Sequence, residues 1–508
     1  MKTAAKAGNS QWILLLAVFV IATCGLVYEL VAGTLASYLL GDSVTQFSTI
    51  IGVYLFSMGI GSFLSKYFSG NLLSWFVRIE LLVGLIGGFS AALLFWVFPV
   101  VASFRTVLYG LVGLTGILVG LEIPILMRIL QGRVAFKELV SRVFTFDYIG
   151  ALIASLLFPM LLVPQLGLIR TALLFGILNV GIGLYLCWYF KAELRNASAL
   201  TLMAVAALVI QLIGFWYADQ LLHASEVRMY PDEVVFATSS PYQRIVLTRN
   251  KADLRLYLNG NLQFSSADEY RYHEALVHPV LSSLQDPQEV LVLGGGDGLA
   301  VREILKYPSV KHITLVDLDG EMTRLFRKQE RLVRLNHSSL NHSKVQVINA
   351  DAFAWLRNNQ KQYDAAIVDF PDPSNFSVGK LYTNLFYRLL KRSLKPEGMA
   401  VIQSTSPYVA PKSYWCVAQT LQDAGFQTVP YHNYVPAFGD WGYLLAYRQP
   451  PPAWFAHLPA GLRYADSQTI SGMLSFAKDQ QVTGALQINK LNNQALVQYF
   501  EEEWGRVE

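Results

Sequence analysis

Acidic residues placed where apolar runs end are the part of this sequence that can do chemistry. The run Glu289-Val290-Leu291-Val292-Leu293 leads into the turn Gly294-Gly295-Gly296-Asp297-Gly298 and then into Leu299-Ala300-Val301-Arg302-Glu303. An apolar strand, a glycine turn and a helix start let a nucleotide-like ligand approach the backbone closely. Alone, such a turn is weak evidence. It gains weight from the run Ile313-Thr314-Leu315-Val316, which ends in Asp317, twenty positions after Asp297, where a carboxylate can accept hydrogen bonds from both ribose hydroxyls. Val345 to Asn349 leads to Asp351, able to reach an adenine amine, and Tyr363 to Val368 leads to Asp369 at the reacting centre.

Asp297 separates the ligands such a turn could take. S-adenosylmethionine would bring its methionine carboxylate near this turn, and an acid there repels it. Pyrophosphate fares worse unless a metal intervenes. An ammonium group fits instead, as in decarboxylated S-adenosylmethionine or a diamine. The plainer expectation for Asp297 is a cap on the following helix.

The elements that must hold these acids follow from the pattern. Strand and helix alternate from about residue 286 to 450, with polar residues at each strand's carboxyl end. That predicts a Rossmann-like, class I methyltransferase-like, doubly wound α/β sheet with its ligand across the switch point. Before it, residues 240–264 alternate apolar and polar around Asn259-Gly260, predicting a small β-hairpin region over 221–285. A C-terminal extension covers 451–508. In the helix from Asp268 onward, His273 and His278 are five positions apart and do not share a face, so no metal site is expected.

Residues 1–220 are of another kind. They hold 8 acidic and 12 basic side chains of the chain's 36 and 40, against 28 of each in 221–508. The mean hydropathy of +0.36 with 15% charged residues comes almost wholly from this part. It predicts an all-α, multi-pass membrane bundle in contact with lipid. Seven spans are expected, over 12–32, 47–65, 76–98, 106–127, 147–163, 168–190 and 200–218. The fifth and sixth should form a helical hairpin about Pro164–Gly167. The loops with Lys66 and Arg78, Arg128 to Arg142, and Lys191 and Arg195 point to the cytoplasmic side. Glu29, Glu80, Glu122 and Asp147 lie in or beside spans. A cation path is one use for them; pairing with Arg78, Arg128 or Arg142 is the plainer one.

A formal net charge of +4 over 508 residues, with no basic block, argues against nucleic acid as a partner. Three cysteines, Cys24, Cys187 and Cys416, lie far apart without CxxC spacing, which fits a reducing compartment. A homodimer is compatible with the sequence, which leaves the oligomeric state open.

Five motifs in register carry a resemblance: Tyr272-His273-Glu274, Gly294 to Gly298, Val316-Asp317-Leu318-Asp319, Asn349-Ala350-Asp351-Ala352 and Asp369-Phe370-Pro371-Asp372-Pro373. Over roughly 234–448 the chain resembles the spermidine synthase family of aminopropyltransferases, and its first half resembles that of the long membrane-anchored bacterial members. The resemblance implies that Gln243, Asp317, Asp351 and Ala352, with Gly294 and Gly296 in the turn, hold the nucleoside of decarboxylated S-adenosylmethionine. It places His273, Asp297, Tyr272 and Gln263 around the amine groups, Asp369 as the general base, and Asp372 and Gln403 at the acceptor.

The implied reaction moves an aminopropyl group from that co-substrate to putrescine, giving spermidine and methylthioadenosine, with no prosthetic group or metal. The alternatives are spermidine as acceptor, methyl transfer on the same fold, or a polyamine transporter or sensor. Departures from the family are Leu299 in place of a glycine, Phe370-Pro371 between the two aspartates, and Pro436 to Gly442. Since the donor is made in the cytosol, residues 221–508 are expected to face the cytoplasm from an inner membrane, which needs an even number of spans.

Overall fold

The computed structural model describes residues 2–40, 43–101, 103–131, 136–482 and 484–506, and divides into two compact units, Met1–Val234 and Val235–Glu508. Part of the expected basic loop, residues 132–135, lies outside the described residues, as does the end of the C-terminal extension, 507–508.

The first unit is all helix: α1 (Lys2–Leu40), α2 (Ser43–Leu64), α3 (Leu72–Val97), α4 (Phe104–Leu130), α5 (Phe136–Leu157), α6 (Val163–Tyr189), α7 (Ala197–Trp216) and α8 (Ala218–Met229). Six apolar helical stretches are long enough to cross a bilayer. The fifth, Lys137–Tyr189, is 53 residues long and takes in two of the seven expected spans. It bends at Gly167, whose φ of 72° leaves the helical region as only glycine does cheaply. The two arms of this expected hairpin do not pack mainly on each other: α5 lies along α1, and α6 lies along α3. Large apolar side chains such as Phe56, Trp188, Leu202 and Trp216 are exposed on the bundle, as a lipid-facing surface requires.

One end of the bundle gathers the described basic loops. Arg128 donates to the carbonyls of Ser65 and Phe68 at 2.9 Å each, and Asn71 and Ser74 at the start of α3 bond to Glu193 and Arg195. The opposite end holds the Arg170–Asp219 pair.

The expected pairing of the span acids fails. Arg128 is spent on carbonyls, Arg142 pairs with Glu138, and Arg78 lies over the ring of Trp75. Both oxygens of Glu80 and of Glu122 are buried without a hydrogen-bond partner.

The second unit opens with a four-stranded antiparallel sheet in chain order, β1 (Glu233–Ser239), β2 (Arg244–Asn250), β3 (Asp253–Leu258) and β4 (Asn261–Ser265). Asn259 and Gly260 both take positive φ, 49° and 83°, the geometry of a two-residue hairpin. Then α9 (Glu269–Leu281) leads into β5 (Glu289–Gly294), α10 (Leu299–Ile304), β6 (His312–Asp317), α11 (Gly320–Lys328), α12 (Glu330–Leu335), β7 (Val345–Asn349) and α13 (Ala352–Asn358). Next come β8 (Tyr363–Asp369), α14 (Phe376–Gly379), α15 (Asn384–Arg392), β9 (Leu394–Gln403), α16 (Pro411–Asp423), β10 (Gln427–Val435) and β11 (Gly439–Tyr447).

Their sheet has the order β10-β11-β9-β8-β5-β6-β7, with β5 to β9 parallel and the β10–β11 hairpin antiparallel at one edge. The order reverses at β5, flanked by β6 and β8, so the ends of those three strands border one crevice. Leu299, standing where the resemblance leads one to expect glycine, is fully buried in the core under this sheet.

Candidate active site

The glycine turn owes its shape to close approach. Gly294 has φ 82°, and a Cβ there would meet the Asp369 carbonyl oxygen at 2.1 Å; one on Gly296 would meet Asp317 Oδ2 at 2.7 Å. These contacts bring the ends of β5, β6 and β8 together. Gly296 N–H donates to Asp317 Oδ2 at 3.1 Å, and the Asp319 N–H donates to Asp317 Oδ1 at 2.8 Å.

At the middle of the crevice Tyr272 O–H donates to Asp369 Oδ1 at 2.6 Å. Burial pushes Asp369 up, the charge of Asp297 adds to this, and His273 and Tyr272 oppose it, leaving it at about 6. His273 is held through Nδ1 by Glu269 Oε2 at 2.8 Å. Burial alone would lower His273, but Glu269 first and then Asp297 and Asp369 outweigh it and raise it to about 9, so the imidazole is cationic at neutral pH. Asp297 is raised chiefly by burial, with His273 opposing. It also caps: its Oδ1 accepts from Leu299 N–H at 2.8 Å.

Beyond Asp369, Asp372 accepts from Gln403 Nε2 at 2.8 Å and from Thr405 Oγ1 at 3.1 Å, and burial carries it to about 6. Tyr382 O–H completes this corner by donating to Gln403 Oε1 at 2.9 Å. The Phe370 ring sits edge-on to Tyr382 and Phe386, which fixes the Phe-Pro link between the two aspartates. Tyr443 and Phe438 pack against Tyr272, and Trp441 against Phe438.

Tyr272, His273, Asp297, Asp317 and Asp369 therefore meet around the turn of Gly294 and Gly296, and Asp372 and Gln403 form an adjoining pair. Three further expected residues have partners of their own. Gln243 Nε2 donates to Asp319 Oδ2 at 2.8 Å. Asp351 caps α13 through Ala354 N–H and forms an ion pair with Lys380 at 2.6 Å, beside the buried Ala352. Gln263 donates to Asn261 within its own hairpin and makes no hydrogen bond to the acidic cluster.

Sequence reasoning missed the support behind the cluster. Arg302 forks onto Glu269 with two bonds of 2.9 Å and also reaches Glu303, which holds His278 at 3.0 Å. The spacing of Glu269 and His273, four apart on one helix face, was the available signal. No signal marked Trp504, whose Nε1 donates to Thr405 Oγ1 at 3.2 Å, one bond from Asp372. We expect Trp504→Phe to raise the acceptor KM several-fold while the donor KM holds, because the lost donor frees Thr405 beside Asp372; steady-state kinetics in both substrates checks it.

A mostly parallel sheet whose strand ends surround a glycine turn with buried carboxylates, beside a histidine raised to about 9, forms a crevice suited to cationic ligands. Residues 269–455 match the spermine/spermidine synthase domain. Over 98% of its length the chain is 56% identical to polyamine aminopropyltransferase 2 of Ralstonia nicotianae, covering 99% of that protein. It is 51% identical to the polyamine aminopropyltransferase of Leptospira interrogans, again over 98% of this chain and 99% of that one. A solved spermidine synthase, in complex with the transition state analogue AdoDATO, aligns with a TM-score of 0.45 at 24% identity, over 48% of this chain and 86% of its own. The chain belongs to the spermine/spermidine synthase family, and its activity is aminopropyl transfer.

Proposed function

We propose that the enzyme transfers the aminopropyl group of decarboxylated S-adenosylmethionine to putrescine, giving spermidine and methylthioadenosine. The observation that carries this reading is Asp369, raised to about 6 and hydrogen-bonded to Tyr272, with Asp297 on one side and Asp372 directly after the Phe-Pro link.

A primary amine with a pKa of about 10 is almost wholly protonated at neutral pH and cannot attack carbon. Asp369 accepts its proton, the freed lone pair forms the new carbon–nitrogen bond, and the carbon–sulfur bond breaks with its electron pair going to the sulfonium sulfur. The leaving group is then a neutral thioether. Asp297 faces the donor's ammonium, Asp317 and Gln243 its ribose, and Asp351 its base once Lys380 yields. Asp372, set by Gln403 and Thr405, takes the far ammonium of the acceptor. Tyr272, Phe438 and Trp441 supply apolar wall for the methylenes between. Incubation of the full chain with each donor and acceptor in turn tests this reading. Spermidine formed from putrescine supports it; tetraamine formed from spermidine in preference shifts the acceptor, and transfer from a donor other than the decarboxylated one overturns it.

The reaction needs Asp369 ionised, so kcat/KM should fall as pH drops through about 6 and hold above it. Asp372, also near 6, binds the acceptor only when ionised, which makes the limb steeper than a single proton gives. The Tyr272 hydrogen bond favours the carboxylate, so Tyr272→Phe should raise Asp369 and move the limb to higher pH; a limb that stays in place would assign it to another group.

We further place the chain in the inner membrane as a multi-pass protein, with the catalytic unit on the cytoplasmic side where a sulfonium donor is made. The helix order weighs against this placement: α7 ends opposite the gathered basic loops, which the charge rule puts inside. Reporter fusions after Ala218 decide between them, and activity of a reporter that works only in the periplasm overturns the cytoplasmic placement.

A further inference from the structure

The first unit contains a set of buried oxygens that no described residue satisfies. Glu80 lies eight residues after the start of α3 and Glu122 eight before the end of α4. The two helices are consecutive, joined by a short turn and packed together, so both acids sit at one depth, about 12 Å inside the bundle at 1.5 Å per residue. They lie within electrostatic reach of each other and of Tyr28 on α1, with Cys24, Tyr54 and Asp147 as the other titratable neighbours.

Two amides join them from other helices. Asn179 on α6 donates to the Glu80 carbonyl, and Gln211 on α7 donates to the Gly84 carbonyl one turn further along α3. The oxygens of both amides, like all four carboxylate oxygens and the Tyr28 hydroxyl, are buried without a partner. Glu80, Asn179 and Gln211 are fully buried, and Glu122 and Tyr28 nearly so. Tyr28 also borders a cavity of about 10 Å³ with Tyr54, Ser90 and Thr115, room for one water-sized group.

Apart from the tyrosine hydroxyl, every unpartnered atom in this set is an acceptor, and among the described residues no arginine or lysine is hydrogen-bonded to either acid. Unpaired acids cost several kcal/mol in such surroundings, and intramembrane acids mark ion or substrate sites. What would satisfy the carboxylates is a compact, donor-rich cation; the small cavity beside Tyr28 adjoins the acids through that residue and is not lined by them. The catalytic half of the same chain makes linear polyammonium ions.

We propose that Glu80 and Glu122, with Asn179 beside Glu80, form a second polyamine site inside the membrane bundle, which takes a primary ammonium head. It rests on the family's polyamine chemistry and not on the choice of putrescine as acceptor. The two carboxylates share the charge of the head, and the Asn179 oxygen accepts from it.

The test uses the full chain in nanodiscs of phosphatidylethanolamine and phosphatidylglycerol, with labelled spermidine. Two classes of site per chain are expected. Glu80→Gln with Glu122→Gln should weaken one class by about 10²-fold, as loss of a buried charge partner does, with aminopropyl transfer unchanged. A single class in the unmodified chain, or two classes surviving the double substitution, overturns the site. Retained transfer keeps this result apart from failure of the proposed acceptor, and an unchanged thermal midpoint of the bundle keeps it apart from misfolding. As a second measurement on the unmodified chain, dicyclohexylcarbodiimide labels carboxyls in apolar surroundings. Spermidine should slow labelling of Glu80 and Glu122 where sodium chloride of equal ionic strength does not. Equal protection by sodium would assign the site to a metal cation, and no protection by either would overturn it.

Discussion

Asp369→Asn is expected to lower kcat by about 10² or more while the donor's dissociation constant stays nearly unchanged, because base catalysis acts in the transition state and not on the bound donor. The amide keeps the size of the carboxylate and can still meet Tyr272, whose O–H lies 2.6 Å from Oδ1, so the crevice keeps its shape. What it loses is the capacity to take the amine's proton. The pH profile gives an independent reading: the fall in rate near pH 6 should flatten in the variant, since its residue no longer titrates. Loss of donor binding with the turnover of each bound complex intact would make Asp369 a binding residue.

The second large effect is on stability. Glu269 is buried in the first turn of α9, with Arg302 forked onto both its oxygens and His273 on one of them. Removing one partner of a buried pair leaves an uncompensated charge and costs about 3–5 kcal/mol. Glu269→Leu therefore leaves a guanidinium with Glu303 as its one acidic partner and a cationic imidazole without one, and the thermal midpoint of the full chain in detergent should fall by about 10 °C. Arg302→Met should do similar harm. The double substitution Glu269→Leu with Arg302→Met should recover much of the loss, because no unpaired charge remains beyond His273. Losses that simply add would show that the pair is not coupled. Without Glu269 the imidazole also loses the partner that holds it near 9, so the pH dependence of donor binding should shift downward.

The sequence by itself determined what is local. Asp317 and Asp369 end strands because each follows an apolar run, and Asp351 caps α13 because it follows one. Asn259-Gly260 turns the chain because those two residue types accept positive φ. The charge-poor first 220 residues could only be apolar helices. Family likeness supplied the roles, and the sheet order then brought Tyr272 to Asp369 across 97 residues and Gly296 to Asp317 across 21.

Only the tertiary structure decided which donor meets which acceptor. Lys380 lies on Asp351, Gln243 on Asp319, Trp504 on Thr405 and Arg302 on Glu269, and no spacing in the chain announces any of these except the helical step from Glu269 to His273. The same holds in the bundle, where Arg128 and Arg142 were available to the buried acids and went elsewhere. The reason is physical. Whether a run forms a strand or a span depends on its own side chains, but partners of a charged group are fixed by which elements lie side by side. That depends on sheet order and helix contacts, which are properties of the whole chain.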